Sequence, residues 1–430
     1  MATVDQPQWI YSRGARCYVY QGAEPPPNGA LYVREVQPPQ LDAYRAQDRK
    51  GGTYLRYYPA DLEMNMTGFA DGATLEKVAD TAAVVAKIGQ QLRDKPMPIM
   101  YATLIRNEAI SSSWVEGLHE TPRNIMIARL KYRDPSLSGV QFMGLDTANA
   151  ILANIESMQS GVEMLHKKWT LKTLNRIHEM LGSHSKLGLR KGSVQIGGQS
   201  KLNAAYVAPP ADRVSGLLQN LMAYANSSGD NPIIKAAIIH AQFENIHPYE
   251  DGNGRTGRIL VHGYLSRSAL VDHGVLPLSI VLRNDVQSYV NALASYRHDR
   301  PETRQQAVSL FIRYFCNTLI AASEQAESII RQTNALEFDW HQRTSLYRSH
   351  STIHKALPIL ARQPVVTARY LAEELNVSAV TAHNVVQSLV DTGILEPSGG
   401  RFKRSEVYQA PSILRMMDLL VPGIQPTRAT

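Results

Sequence analysis

The chain has only two cysteines in 430 residues, Cys17 and Cys316. They stand far apart and in no CxxC or Cys/His cluster, which disfavours a disulfide scaffold and a structural zinc site. Long hydrophobic runs are also missing. No stretch approaches eighteen uncharged apolar residues, so no membrane-spanning helix is predicted and no membrane partner is expected. The first residues lack a basic segment followed by an apolar one, which disfavours a secretory leader. A cytoplasmic protein is the expectation. There is no internal repeat, and no succession of strand, helix and strand, so a doubly wound sheet is disfavoured.

What remains is an ordinary globular composition, 44% hydrophobic and 19% charged. The length predicts two or three domains with ample core. The net charge is +7, from 45 basic and 38 acidic residues. Residues 341–430 hold ten Lys/Arg against six Asp/Glu and so supply +4 of it. A basic patch there would suit nucleic acid; a solvated surface would look the same, and charge alone leaves both open.

Pro7, Pro25–Pro27, Pro38-Pro39 and Pro59 mark residues 1–74 as a proline-rich segment of extended pieces or loops. From Thr74 the apolar spacing becomes helical, with Leu75, Val78, Ala82, Val85, Ile88 and Leu92 on one face. Further helices are predicted over 101–116, 145–165, 171–181, 214–225, 231–245, 255–268, 284–296 and 304–332. The clear β signal lies in 192–207, where Gln195, Ile196, Tyr206 and Val207 flank Gly197-Gly198, as in a hairpin. A helical linker is expected over 331–352. Three helices at 353–360, 367–375 and 379–392, then two short strands around Pro397–Gly400, resemble a winged helix-turn-helix spanning 353–410, with a tail at 411–430. Its third helix carries His383, Asn384 and Gln387 as polar tips; the wing carries Arg401, Lys403 and Arg404. DNA and a protein partner both remain open for it.

The densest signal is 247-HPYEDGNGRTGR-258. Its Gly252-x-Gly254-x-x-Gly257 spells a dinucleotide fingerprint, but helix precedes it where a strand is required. A P-loop fails too, for want of Gly-Lys-Ser/Thr. Two glycines let the backbone of 251–254 turn and approach an anion closely, and the turn runs into a helix N-terminus that favours negative charge. Arg255 and Arg258 follow three apart. Asp251 offers a hard oxygen for Mg²⁺ beside phosphates, and His247 a base near neutral pH. His240, His262 and His273 lack metal-ligand companions and read as structural or surface residues.

This stretch resembles the Fic signature, HxFx(D/E)GNGRxxR, with Tyr249 in the usual Phe position. The resemblance covers about residues 75–330 and implies a mainly α fold: a helical core with a β-hairpin flap, here followed by the small winged helix. It implies a protein adenylyltransferase that moves AMP from ATP, with Mg²⁺, onto a Ser, Thr or Tyr hydroxyl. His247 would be the base and Asp251 the Mg²⁺ ligand. Gly252, Asn253 and Gly254 would form the anion hole, and Arg255 and Arg258 would hold the phosphates. Ser112-x-x-x-Glu116-Gly117 resembles the family's inhibitory motif, on a helix near 101–117, with Glu116 placed to occupy Arg258. The same glutamate would suit removal of AMP equally well. Gln195–Gly198 with Tyr206 and Val207 resembles the flap that docks the target, and Tyr289 and Asn291 would border adenine. A homodimer and self-modification follow from the resemblance alone. Two alternatives stay open: transfer of UMP, phosphate or phosphocholine by the same fold, and a DNA-binding regulator whose Fic core senses a ligand.

Overall fold

The computed structural model describes residues 9–21, 31–94, 98–182, 187–227, 229–271, 275–398 and 406–419. It opens with a four-stranded sheet that the proline content had hidden. Strands β1 (Trp9–Ser12), β2 (Cys17–Tyr20) and β3 (Leu31–Gln37) are followed by a short helix α1 (Ala46–Lys50) and β4 (Gly52–Tyr58), in the order β1-β2-β3-β4. β2 and β3 run parallel and the other pairs antiparallel, with Val33 opposite Arg56. The prolines delimit these strands. β3 stops at Gln37 before Pro38, and β4 at Tyr58 before Pro59, where a residue without an N–H cannot continue the ladder. Pro7 and Pro25–Pro27 lie outside the described residues.

Twelve helices then carry most of the described residues. They are α2 (Gly72–Asp94), α3 (Pro98–Val115), α4 (Pro122–Arg133), α5 (Leu145–Met164) and α6 (Leu171–Met180), then, after a hairpin of β5 (Gln195–Ile196) and β6 (Tyr206–Val207), α7 (Ala211–Asn226), α8 (Pro232–Ile246), α9 (Asn253–Arg267), α10 (Leu278–Asn284), α11 (Val286–Ser295), α12 (Arg304–Arg343) and α13 (Thr352–Arg362). α8 is the centre: every residue from Ile233 to Ile246 is buried, nine apolar residues together with Lys235, His240, Gln242, Glu244 and Asn245. Asn231 caps its first turn through the Ile233 N–H, and Pro232 sits where no N–H is needed. α9 packs along α8 and α5, and Gly161 permits that approach, since a Cβ there would stand 2.7 Å from Ile259.

α12 runs on past Gln332 to Arg343, about 60 Å in all, and so takes in the first part of the helical linker expected over 331–352; Thr333, Leu336 and Trp340 extend its buried stripe. Helices α4 and α10 were not anticipated; α10 has only seven residues, and α4 is bounded by Thr121, whose hydroxyl accepts from the Asn124 N–H.

The chain closes as a winged helix. α13, β7 (Val365–Thr367), α14 (Ala368–Leu375), α15 (Ala379–Asp391), β8 (Glu396–Pro397) and β9 (Val407–Gln409) follow in order, the strands paired β7-β9-β8, before α16 (Pro411–Leu419). Thr367 and Ser378 cap α14 and α15, and Asn376 takes the left-handed conformation that turns one into the other. His383, Asn384 and Gln387 are exposed on α15. The wing cations Arg401, Lys403 and Arg404 lie outside the described residues, as does His273. The fold is thus mainly helical, with a helical core, a two-stranded hairpin beside it and a winged helix after it.

Candidate active site

His247 ends α8 with φ of 49°, a left-handed backbone unusual for a side chain of its size. Its own N–H closes on the Phe243 carbonyl at 2.9 Å. Arg190 then fixes it from outside: Nε donates to the His247 carbonyl at 2.7 Å, Nη1 to Gly192 at 2.9 Å and Nη2 to Pro209 at 2.6 Å. One buried guanidinium therefore ties the end of α8 to both feet of the hairpin. The imidazole Nδ1 lies 3.3 Å from the Glu244 carbonyl, and burial lowers its pKa to about 4. At neutral pH the ring is uncharged, the state a base requires.

The turn after His247 is braced by aromatic and amide contacts. Asn253 donates from Nδ2 to the Tyr249 carbonyl and accepts at Oδ1 from the Tyr249 N–H, both at 2.9 Å. The Tyr249 ring stacks on His178 at 3.7 Å and 7° from parallel, and its hydroxyl meets Asn175 at 2.9 Å. A tyrosine in the phenylalanine position is thus supplied with a partner. His178 Nε2 also lies 2.8 Å from the Asp251 carbonyl. Gly252, with φ of 77°, caps α9. The N–H groups of Asn253, Gly254 and Arg255 form the first turn, where a helix has no acceptors of its own. Positive partial charge therefore faces outward beside His247.

The two arginines are divided between tasks. Arg255 is buried, and its Nη2 pairs with the exposed Asp251 Oδ2 at 3.0 Å. Arg258 is fully buried: Nε donates to Ser112 Oγ at 2.7 Å, and Nη2 to the Ser112 carbonyl and to Glu116 Oε1, both at 2.8 Å. Glu116 sits just past α3, which Gly117 ends with φ of 82°, its N–H on Trp114 and that of Leu118 on Ser113. The Glu116 carboxylate lies against the first turn of α9, so close that a Cβ on Gly254 would collide with it. The four residues Ser112, Glu116, Gly254 and Arg258, far apart in sequence as two pairs, meet at one point.

Asp251 suits a hard cation shared with phosphates. Its carboxylate is 61% exposed, leaving room for waters, and it stands alone, since no cluster of three acidic, histidine or cysteine side chains fit for a metal occurs among the described residues. Tyr289 and Asn291 are not brought together. Tyr289 is buried with its hydroxyl 2.9 Å from His240 Nε2, whereas Asn291 is exposed and receives Gln287 at 3.0 Å. Two residues apart on α11, they face different ways. The hairpin forms as expected, Gln195 opposite Val207 and Ile196 opposite Tyr206, with Gly197 at φ of 72°. The Tyr206 hydroxyl donates to the Asn245 carbonyl, two residues ahead of His247.

His178, Arg190 and Glu244 are site residues the sequence reading missed. Glu244 had a local signal, one helical turn before His247. His178 and Arg190 had none, because they reach the loop from other elements.

Residues 168–265 match the Fic/DOC family profile. A probable protein adenylyltransferase of Aquifex aeolicus is 29% identical over 163 residues, 38% of this chain and 45% of that protein. The Aedes aegypti protein adenylyltransferase Fic is 30% identical over 139 residues, 30% of this chain and 24% of that protein. The chain therefore spans less than half of either relative. A Fic family protein crystal structure from Desulfovibrio desulfuricans covers 78% of this chain and 95% of that one, at 20% identity and a TM-score of 0.46. No helix of the described residues is long and apolar enough to cross a membrane. The glycine turn, the helix N-terminus behind it and the two arginines all lie within the stretch that matches the Fic/DOC profile.

Proposed function

We propose that this chain is a protein adenylyltransferase, moving AMP from ATP to a hydroxyl on a protein, and that Glu116 restrains it. The observation that carries the reading is the convergence of uncharged His247, the first turn of α9 and Arg258 within one site. His247 takes the proton from the attacking Ser, Thr or Tyr oxygen. That oxygen forms a bond to the α-phosphorus as the bond to the β-phosphate bridging oxygen breaks, and pyrophosphate leaves. The N–H groups at the start of α9 stabilise charge on the α-phosphate oxygens, while Arg255 and Arg258 orient the outer phosphates. Asp251 would hold Mg²⁺, which supplies charge neutralisation on the phosphates when bound. The hairpin offers the strand edge on which an extended target segment would lie.

Glu116 acts by competition. A guanidinium bonded to a carboxylate is not available to a γ-phosphate, and the same carboxylate adds negative charge at the place where phosphate would sit. The test is intact-mass analysis after incubation with ATP and Mg²⁺. A gain of one AMP in Glu116→Gly, lost in Glu116→Gly/His247→Ala, is the expected result. A gain that survives His247→Ala would refute the assignment of the base. Parallel incubations with UTP and a phosphocholine donor separate this reading from the other transfers.

A further inference from the structure

α3 is held on two opposite faces. On one, Glu108, Ser112 and Glu116 recur every fourth residue and meet α9, with Glu108 Oε1 lying 2.9 Å from His262 Nε2 and Ser112 and Glu116 on Arg258. Glu108 is fully buried and also receives the Ser279 N–H and hydroxyl of α10, at 2.8 and 2.6 Å. Arg106 lies about 200° around the helix from Glu108, on the face turned to the winged helix. It is 3% exposed, and no ion pair with an acid occurs for it among the described residues. Nη1 donates to the Ala361 carbonyl at 2.9 Å, while Nε and Nη2 have no hydrogen-bond partner there.

A buried guanidinium without a carboxylate is costly. What offsets the cost here is the C-terminal end of α13, whose carbonyls carry negative partial charge. The same docking surface continues onto α4. Gln363 donates to the Met126 carbonyl at 2.9 Å, Thr367 donates to Asp134 Oδ2 at 2.5 Å, and Arg123 donates to the Ser398 carbonyl at 2.8 Å. α3 and α4 are the helices on either side of Glu116, and the winged helix is fastened to both. α15 makes no hydrogen bond to either among the described residues, so its polar face is left outward.

We propose that Arg106 is a positioning residue through which the docked winged helix holds α3 in register on α9, so that the strength of the Glu116 restraint depends on the C-terminal module. This rests on the reading of Glu116 given above. A rod clamped on two faces transmits a shift at α13 to the Glu116–Arg258 contact, because packed helices move as units rather than bending.

The experiment is a double-mutant cycle in the full-length protein. Arg106→Gln and, at the rim, Arg123→Ala are each placed in the Glu116 and the Glu116→Gly backgrounds, and initial AMP incorporation is measured. Each substitution is expected to raise the rate about tenfold when Glu116 is present, within the usual span of site-to-site coupling. In Glu116→Gly each should change it less than about twofold. Equal effects in both backgrounds, or no rise beside an active Glu116→Gly, would overturn the proposal. An inactive Glu116→Gly would instead indict the reading of Glu116. Amide exchange gives an activity-independent arm: Arg106→Gln should speed exchange over residues 110–118 and leave α8 unchanged, and unaltered exchange there overturns the coupling.

Discussion

Arg258 reaches Glu116 across 2.8 Å with its guanidinium fully buried and the carboxylate 34% exposed. The asymmetry decides which partner can leave. Arg258 is pinned by Ser112 through two further hydrogen bonds, whereas Glu116 stands at a helix end with water on one side. Under the restraint proposed above, release comes by moving the glutamate. Glu116→Gly is expected to raise initial AMP incorporation by about tenfold or more, the scale of a coupling worth ~1–3 kcal/mol. Arg258→Ala should abolish incorporation even in that background. Radiolabel transfer from α-labelled ATP checks both, and a silent Glu116→Gly would make the ion pair merely structural.

The pH profile follows from His247. Burial holds its pKa near 4, below the usual histidine value, and the Glu116 charge is one of the influences keeping it from falling further. The acid limb of kcat/KM, which reports the free enzyme's base, should therefore lie well below pH 6 and shift lower in Glu116→Gly. A limb at pH 6.5 or above would mean that the titrating base is another group. Stability moves in the corresponding direction. His240, held near pKa 3 by burial, and His298, near 4, share the depression, so the unfolded chain takes up protons first as pH falls through 6.5. By linkage the fold loses stability between about pH 6.5 and 3, the His247 and His298 parts being complete near pH 4, and is unaffected by these groups above that window.

How much of this was legible depends on locality. His247 through Arg258 lie within one turn and one helix, so their types and spacing carry the chemistry unaided. Ser112 and Glu116 were legible as a helical pair, and Gly117 as its stop, because caps are local. The four-stranded sheet was not: 52-GTYLRYY-58 mixes tyrosine with arginine, and Arg56 is buried only because Glu35 at 2.7 Å and the Ala208 carbonyl at 2.6 Å receive it. Those partners come from β3 and from the end of the hairpin, which no window of sequence contains. Arg190 is the same case at the candidate site: Gly192 is a local acceptor, but the Pro209 and His247 carbonyls that give it its place are distant in sequence.

Tyr249 gives a test of packing against polarity. Tyr249→Phe keeps the ring on His178 and removes only the bond to Asn175, a residue with partial access to water. The expected loss is about 0.5–1.5 kcal/mol, with AMP incorporation within about twofold of its parent. Tyr249→Ala deletes a fully buried ring and should cost ~3–5 kcal/mol, with collapse of the turn and of activity. Urea unfolding of the two variants checks the order; a Phe variant as damaged as the Ala variant would show that the hydroxyl, not the ring, holds the loop.

Glu244 places a second carboxyl beside Arg258, one turn before His247. Its Oε1 has no hydrogen-bond partner among the described residues, and neither does Arg258 Nη1. Burial raises its pKa to about 8, despite the opposing pull of Arg258. At neutral pH the group is thus protonated in the fold and ionised in the unfolded chain. Between about pH 4.5 and 8 the native state binds the extra proton, so stability falls as pH rises through that window, by at most ~1.4 kcal/mol per pH unit for one group, and levels off above it. Glu244→Gln keeps the shape and removes the titration. Its stability relative to the parent should therefore grow from pH 5 to pH 8 and then stay constant, which denaturant melts at a series of pH values would show. A difference independent of pH would mean that Glu244 is ionised in the fold and paired with Arg258, and that Arg258 has a second carboxylate to retreat to when Glu116 withdraws.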